Sequence, residues 1–318
     1  MNFVTLATTN FHEFATMPND IQFNVNTSTL VLANLIIAMN MFAVSLNLRR
    51  ADFSLVLQNK KPMAVGLLAQ FALLPFVAFV FSVCIPMHPG LVLALIMVSC
   101  VPGGNLSNVF SFIAKGNLPL SISLTAVGFL FAPVVTPLNF AMYSSLHPGL
   151  NGIVNNIHID PVQLGAAIVV TLLIPLALGY WAGNQFPRFY KRVAPYISRF
   201  ALTSIAVLVV LVLKDNVHLD MTIIVNYAGE VAGLQVLVLG SAYLFASAFK
   251  LPTADRRTIA IEAGIQNAPL GVVLLLTFMP TQSTAMAAIA FWGGWQILAC
   301  TAIALYWKRV SDPVPNPG

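Results

Sequence analysis

Pro102-Gly-Gly-Asn-Leu-Ser-Asn108 lies inside an apolar segment that otherwise reads as a membrane-spanning helix. Leu91 to Cys100 before it and Val109 to Ala114 after it are each too short to cross a bilayer, which takes about 20 apolar residues; together with the break they are long enough. The helix is therefore expected to stop and restart at mid-depth. Proline and two glycines remove helix hydrogen bonds and helix propensity. The freed backbone groups cannot stay unpaired in lipid, so they must face protein, water or a ligand. A second interruption is expected at Gly264-Ile-Gln-Asn-Ala-Pro269, just after Glu262 in another apolar span.

The rest of the chain fits that reading. With 58% hydrophobic and 8% charged residues, it departs far from the roughly 25% charged of soluble domains and is read as an all-α polytopic membrane protein. The net charge of +5 is taken as a topology signal, not as a nucleic-acid footprint. Cys84, Cys100 and Cys300 fall in apolar runs without paired or metal-ligand spacing, and the histidines are scattered, so a thiol or histidine metal centre has no support.

Residues 1–27 are read as an exposed tail with neither a signal peptide nor a span, and Asn26-Thr27-Ser28 as a chance match to the glycosylation acceptor pattern. Apolar spans follow at about Leu30 to Leu48, Pro62 to Ile85, Gly90 to Ala114, Leu118 to Met142, Val162 to Trp181, Ile197 to Leu213, Ile223 to Phe249, Thr258 to Met279 and Ala285 to Trp307, nine in all. Threading the chain through them puts fourteen of the fifteen Lys and Arg residues on one side, leaving only Lys214 on the other. The positive-inside rule then sets the amino terminus outside and the carboxyl terminus, with a tail at 310–318, in the cytoplasm of a cell membrane. Counted back from the end, the second broken helix is fourth in a set of five. The first is also fourth if one helix is missing before span one, so nine spans read as an inverted repeat lacking its first helix.

Glu262 has no buried Lys or Arg in any span to pair with, and an acidic group at a helix centre costs roughly 2.5–3.5 kcal/mol on insertion scales. A sodium ion or a proton is the remaining partner. Glu230, near the outer end of span seven, can reach water. Sodium is a hard cation that prefers several oxygens. Candidates are Ser107 and Asn108 at the first break, Ser121 and Thr125 one turn apart on span four, Gln266 and Asn267 at the second break, the unwound carbonyls of Ala263 and Ile265, and Gln70 in span two. The half-helices that restart near Ser107 or Asn108 and near Asn267 present N-termini that favour anions, which points to a carboxylate beside bound cations. Discontinuous helices of this kind build the ion and substrate sites of secondary transporters.

Cys100-Val-Pro-Gly-Gly-Asn-Leu-Ser-Asn108-Val followed by Ala114-Lys-Gly116, and Glu262-Ala-Gly-Ile-Gln-Asn267, resemble the two signature crossings of the bile acid:sodium symporter family; Gln70-Phe with Leu74-Pro75 is also similar to that family's pattern. The resemblance implies a single transmembrane unit over 28–309. A panel (about 28–50 and 161–213) would stand beside a core (about 62–142 and 221–307) holding two crossed discontinuous helices. It implies one sodium site from Ser107, Asn108, Ser121, Thr125 and Glu262, and another from Gln70, Glu262, Ala263, Ile265 and Gln266. Substrate would meet Asn105, Asn108, Asn267, Gly293 and Gly294. Asn105-Leu106 stands where the family often has Thr-Ala, and Gly293-Gly294 where some bacterial members have His-Asn, so the substrate stays open between a bile-acid-like steroid acid and a small carboxylate.

The expected function is sodium-coupled import of an organic anion by a monomer in contact with membrane lipids, with Na+ as coupling ion and no cofactor or nucleic acid. The alternative makes Glu262 a proton carrier. An intramembrane enzyme is not expected, because the sequence offers no His-Glu-x-x-His motif, Asp dyad or nucleophile–base pair. A receptor is not expected either, because the short tails and loops are read as leaving no room for an output domain.

Overall fold

The computed structural model describes residues 27–46, 48, 60–154, 160–186, 196, 203 and 227–310. The expectations for the amino-terminal tail, Asn26, nearly all of span six, the 310–318 tail beyond Val310 and seven of the fifteen basic residues lie outside them. The described helices of eight residues or more are α1 (Thr27–Ser45), α2 (Lys60–Cys84), α3 (Pro89–Cys100), α4 (Leu106–Ile113), α5 (Leu118–Leu146), α6 (Pro161–Gln185), α7 (Ala228–Ala248), α8 (Thr253–Gly264), α9 (Ala268–Phe278) and α10 (Ser283–Val310). Five of them, α2, α5, α6, α7 and α10, are long and apolar enough to cross a membrane, while α3 and α9 are shorter apolar helices.

Helix α3 is apolar all round, and every residue from Leu91 to Cys100 is buried, as a helix without a polar face must be. It sits among α2, α5 and α10. His88 starts it, its Nδ1 accepting the Gly90 N–H at 3.1 Å, with Pro89 in the first turn, where a missing N–H costs nothing. It stops at Val101, which the following proline holds extended (φ −73°, ψ 156°).

Prolines shape two more helices. Pro75 has no N–H for the Phe71 carbonyl, and α2 makes a π turn over Ala69–Leu73; Asn139 Nδ2 on α5 donates to the freed Phe71 oxygen at 2.6 Å. A second π turn, Val169–Leu173, precedes Pro175 in α6. In α5, Pro137 cannot donate to the Pro133 carbonyl, and Gly165 of α6 lies so close that a Cβ there would sit 2.6 Å from that oxygen.

Helix α1 packs along the second half of α6, where Gly179 and Gly183 lie directly on Phe42, Ser45 and Leu46. Asn184 Nδ2 donates to Leu48 O at 3.1 Å across the same seam. Small residues one turn apart let two helix backbones approach this way.

Helix α8 begins at Thr253, more than a turn before the span boundary expected at Thr258. Pro252 sets the start. Asp255 then falls in the first turn, where a negative charge is favoured, and takes a 2.8 Å hydrogen bond from Asn117 Nδ2. Asn117 N–H also donates to Thr258 Oγ1 at 2.8 Å, tying the turn after α4 to the start of α8.

Candidate functional site

The two interruptions meet. Gly104 N–H donates to Ile265 O at 2.8 Å and Asn267 N–H to Pro102 O at 2.9 Å, so Gly103 and Gln266 face each other as one antiparallel β-bridge. Each break therefore satisfies backbone groups of the other, as burial without water demands. Gly264 O, the last carbonyl of α8, accepts from Gln235 Nε2 of α7 at 2.9 Å, and Cys100 O of α3 accepts from Thr136 Oγ1 at 2.8 Å.

Glu262, on the last turn of α8, is 1% exposed. Its partners are hydroxyls: Ser121 Oγ donates to Oε2 at 3.1 Å and Thr125 Oγ1 to Oε1 at 2.7 Å. Ser121 and Thr125 reach it together because they stand one turn apart on α5. Ser107, in the first turn of α4, lies 3.4 Å from Thr125 Oγ1. Four of the five residues expected at the first sodium site are thus one cluster. Asn108 is on the next position of α4, its Oδ1 buried and without a hydrogen-bond partner among the described residues.

Gly103 separates Glu262 from Gln70. A Cβ on Gly103 would lie 2.8 Å from Glu262 Oε1 and 3.2 Å from Gln70 Nε2. Gln70 is buried within the π turn of α2, and among the described residues neither its Oε1 nor its Nε2 has a partner. Gln266 Oε1 is likewise buried and unpartnered, while its Nε2 donates to Ala263 O at 2.8 Å. The Ile265 carbonyl is engaged by Gly104 N–H. A carbonyl oxygen has two lone pairs, so both carbonyls keep acceptor capacity. Buried oxygens left without protein donors, at a crossing that also holds a buried carboxyl, suit a hard cation.

The expected substrate positions are more dispersed. Asn267 caps α9, its Oδ1 accepting Leu270 N–H at 3.2 Å, and its Nδ2 lies 4.0 Å from Met41 Sδ of α1. Asn105 precedes α4 without capping it, and its Oδ1 is buried and unpartnered among the described residues. Gly293 adjoins Ala268, with 3.2 Å between its would-be Cβ and the alanine's; Gly294 is exposed with nothing within 4 Å.

Sequence reading does not single out Gln235, Gln296, Asn139 or Trp292, yet Gln235 and Gln296 bond the second break, Asn139 bonds the turn that carries Gln70, and Trp292 donates to Gln296. The signal that marks Gln70, one amide in an apolar run, also marks Gln235 and Gln296.

The family model described as Sodium Bile acid symporter family matches residues 34–222. The chain is similar to the "Uncharacterized sodium-dependent transporter YocS" of Bacillus subtilis (strain 168), 28% identical over 275 residues, covering 85% of this chain and 80% of the relative. It is also similar to the "Probable sodium/metabolite cotransporter BASS1, chloroplastic" of Arabidopsis thaliana, 29% identical over 241 residues, 75% of this chain and 57% of the relative. Against the "Sodium/bile acid cotransporter 4" of Homo sapiens it is 32% identical over 223 residues, 68% of this chain and 48% of the relative. It thus spans less than two thirds of the last two. The matched stretch holds α2 to α6 with the first break, and on that match the chain belongs to the sodium bile acid symporter family.

Proposed function

We propose that the chain is a sodium-coupled symporter that imports an organic anion by alternating access. The observation that carries this reading is Glu262, buried at the crossing with hydroxyl partners, together with the buried, unpartnered oxygens of Gln70 and Gln266. Sodium at Ser107, Asn108, Ser121, Thr125 and Glu262, and at Gln70, Glu262, Ala263, Ile265 and Gln266, would neutralise the carboxylate and supply those oxygens with a partner. The names of two relatives, sodium-dependent transporter and sodium/metabolite cotransporter, agree with sodium coupling.

The ten-helix inverted repeat lacking its first helix, with nine spans and the amino terminus outside, is part of the same proposal. It draws support from the antiparallel sense of the bridge and from matched contacts at the helix starts. Thr258 of α8 lies against Gly116, after α4; Gly90 of α3 lies against Thr284, after α9. In this reading α1 and α6 belong to the panel and move against the core. Substrate, a bile-acid-like steroid acid or a small carboxylate, would meet Asn105, Asn108, Asn267, Gly293 and Gly294 where α4 and α9 begin. Cation occupancy would shift the inward–outward equilibrium through its differential affinity for the two states.

Uptake of labelled organic acids into proteoliposomes, with sodium replaced by choline, tests the proposal. Accumulation that persists undiminished in choline defeats it, and accumulation that follows a pH gradient instead selects proton coupling.

A further inference from the structure

The bridge between the two breaks leaves an outer edge on each strand to be covered. Because Gly104 and Asn267 donate across it, residues 103 and 266 form the non-hydrogen-bonded kind of antiparallel pair, in which each residue's own N–H and C=O point away from the partner strand. In lipid those groups need another acceptor and donor. For residue 266 one side chain supplies both, with the Ala268 N–H as a second donor to Gln266 O at 2.9 Å. Gln296 of α10 is buried, its Oε1 accepts Gln266 N–H at 2.8 Å, and its Nε2 donates to Gln266 O at 3.0 Å. The amide thus takes the place of a third strand. Trp292, one turn earlier on α10, donates its indole N–H to the same Oε1 at 3.1 Å, which fixes the end of the amide that is oxygen.

We infer that Gln296 is a positioning residue for the cation site, holding the backbone of Gln266 so that Gln266 Oε1 is presented at the crossing. The inference rests on the sodium-coupled reading above. Gln266 is the right residue to hold. Its Nε2 is tied to Ala263 O, its Oε1 has no partner among the described residues, and its backbone is gripped by Gly103's strand on one side and by Gln296 on the other. A ligand carried on an unwound segment has no helix of its own to fix its direction, so the outer partner sets it.

The test is the sodium midpoint of thermal stabilisation, measured on the purified full chain in detergent with sodium chloride exchanged for choline chloride at constant ionic strength. Gln296→Ala is expected to raise the half-saturating sodium concentration about tenfold, the size typical of lost outer partners of metal ligands. Gln296→Glu gives a readout that a packing role does not move. Its protonated carboxyl can supply the one donor and one acceptor that the amide turns to Gln266, whereas its carboxylate turns an oxygen against Gln266 O. Its midpoint should therefore lie near the wild type's at low pH and rise above it at high pH. If Gln296→Ala yields no folded protein, Trp292→Phe, which removes the orienting N–H, should still raise the midpoint. A wild type whose melting ignores sodium overturns the sodium reading and this role with it. A sodium-stabilised wild type, with folded variants sharing its midpoint at every pH, overturns the role of Gln296 alone.

Discussion

Gly103 makes room for Glu262: a methyl group on residue 103 would lie 2.8 Å from the Glu262 Oε1 atom. The same methyl would press on Gln70 Nε2, so the smallest possible side chain crowds the carboxyl and the amide at once. Gly103→Ala is expected to cost about 1–3 kcal/mol of stability, the usual range for overpacking, and to weaken stabilisation by sodium. Melting with and without sodium checks both parts; a variant indistinguishable from wild type would show that the gap between Glu262 and Gln70 has no role.

Glu262→Gln and Gln266→Ala should abolish sodium-driven uptake while leaving membrane insertion intact. The first replaces an acceptor held by Ser121 and Thr125 with an uncharged amide, and the second removes an oxygen at the crossing. Expression level and detergent-extracted monodispersity separate loss of function from loss of fold. Normal transport by both variants would refute the site.

Both breaks were legible in the sequence because each carries its own chemistry: Pro102 with two glycines in one, Pro269 just after Asn267 in the other. Asn267 even caps α9 as its position next to Pro269 implies. What sequence reading missed lies in contacts between distant positions. Gln296 grips a residue thirty positions earlier, and periodicity carries no trace of such a pairing. Asp255 precedes the span expected from Thr258, yet it lies buried in the first turn of α8 with a hydrogen bond from Asn117, 138 positions earlier. The π turn around Gln70 did leave a mark, since Pro75 removes the donor that Phe71 would have used.

At the seam of α1 and α6, a side chain on Gly183 would run into Leu46 O and one on Gly179 into Ser45 Oγ. Gly183→Leu should therefore lower the melting temperature substantially. Gly240→Ala makes the contrast: that glycine is helical in α7 with nothing within 4 Å, and alanine there should stabilise by up to about 1 kcal/mol. Equal effects of the two substitutions would contradict a close approach between α1 and α6.

His147 follows the last residue of α5, and its Nδ1 accepts Gly149 N–H at 3.1 Å. Burial pushes its imidazole down from 6.5 to about 4. The unfolded chain takes up that proton near 6.5, while the folded one resists until about 4. Stability is thus fully present above 6.5 and is lost as pH falls toward 4, by at most about 3 kcal/mol. His147→Asn keeps an acceptor for Gly149, so its melting temperature should fall less between pH 7 and pH 4. Parallel slopes for variant and wild type would dismiss the linkage.

Residues 103 and 266 are separated by 163 positions (266 minus 103), yet each is the other's mate at the crossing. A ribosome making this chain has to add most of the later helices before the earlier gap finds its counterpart. Closing so long a loop is entropically costly and slow, which places this union late in folding. A nascent chain halted anywhere before Asn267 carries Pro102–Gly104 without the strand that completes it, an exposed mark by which an unfinished molecule differs from a finished one.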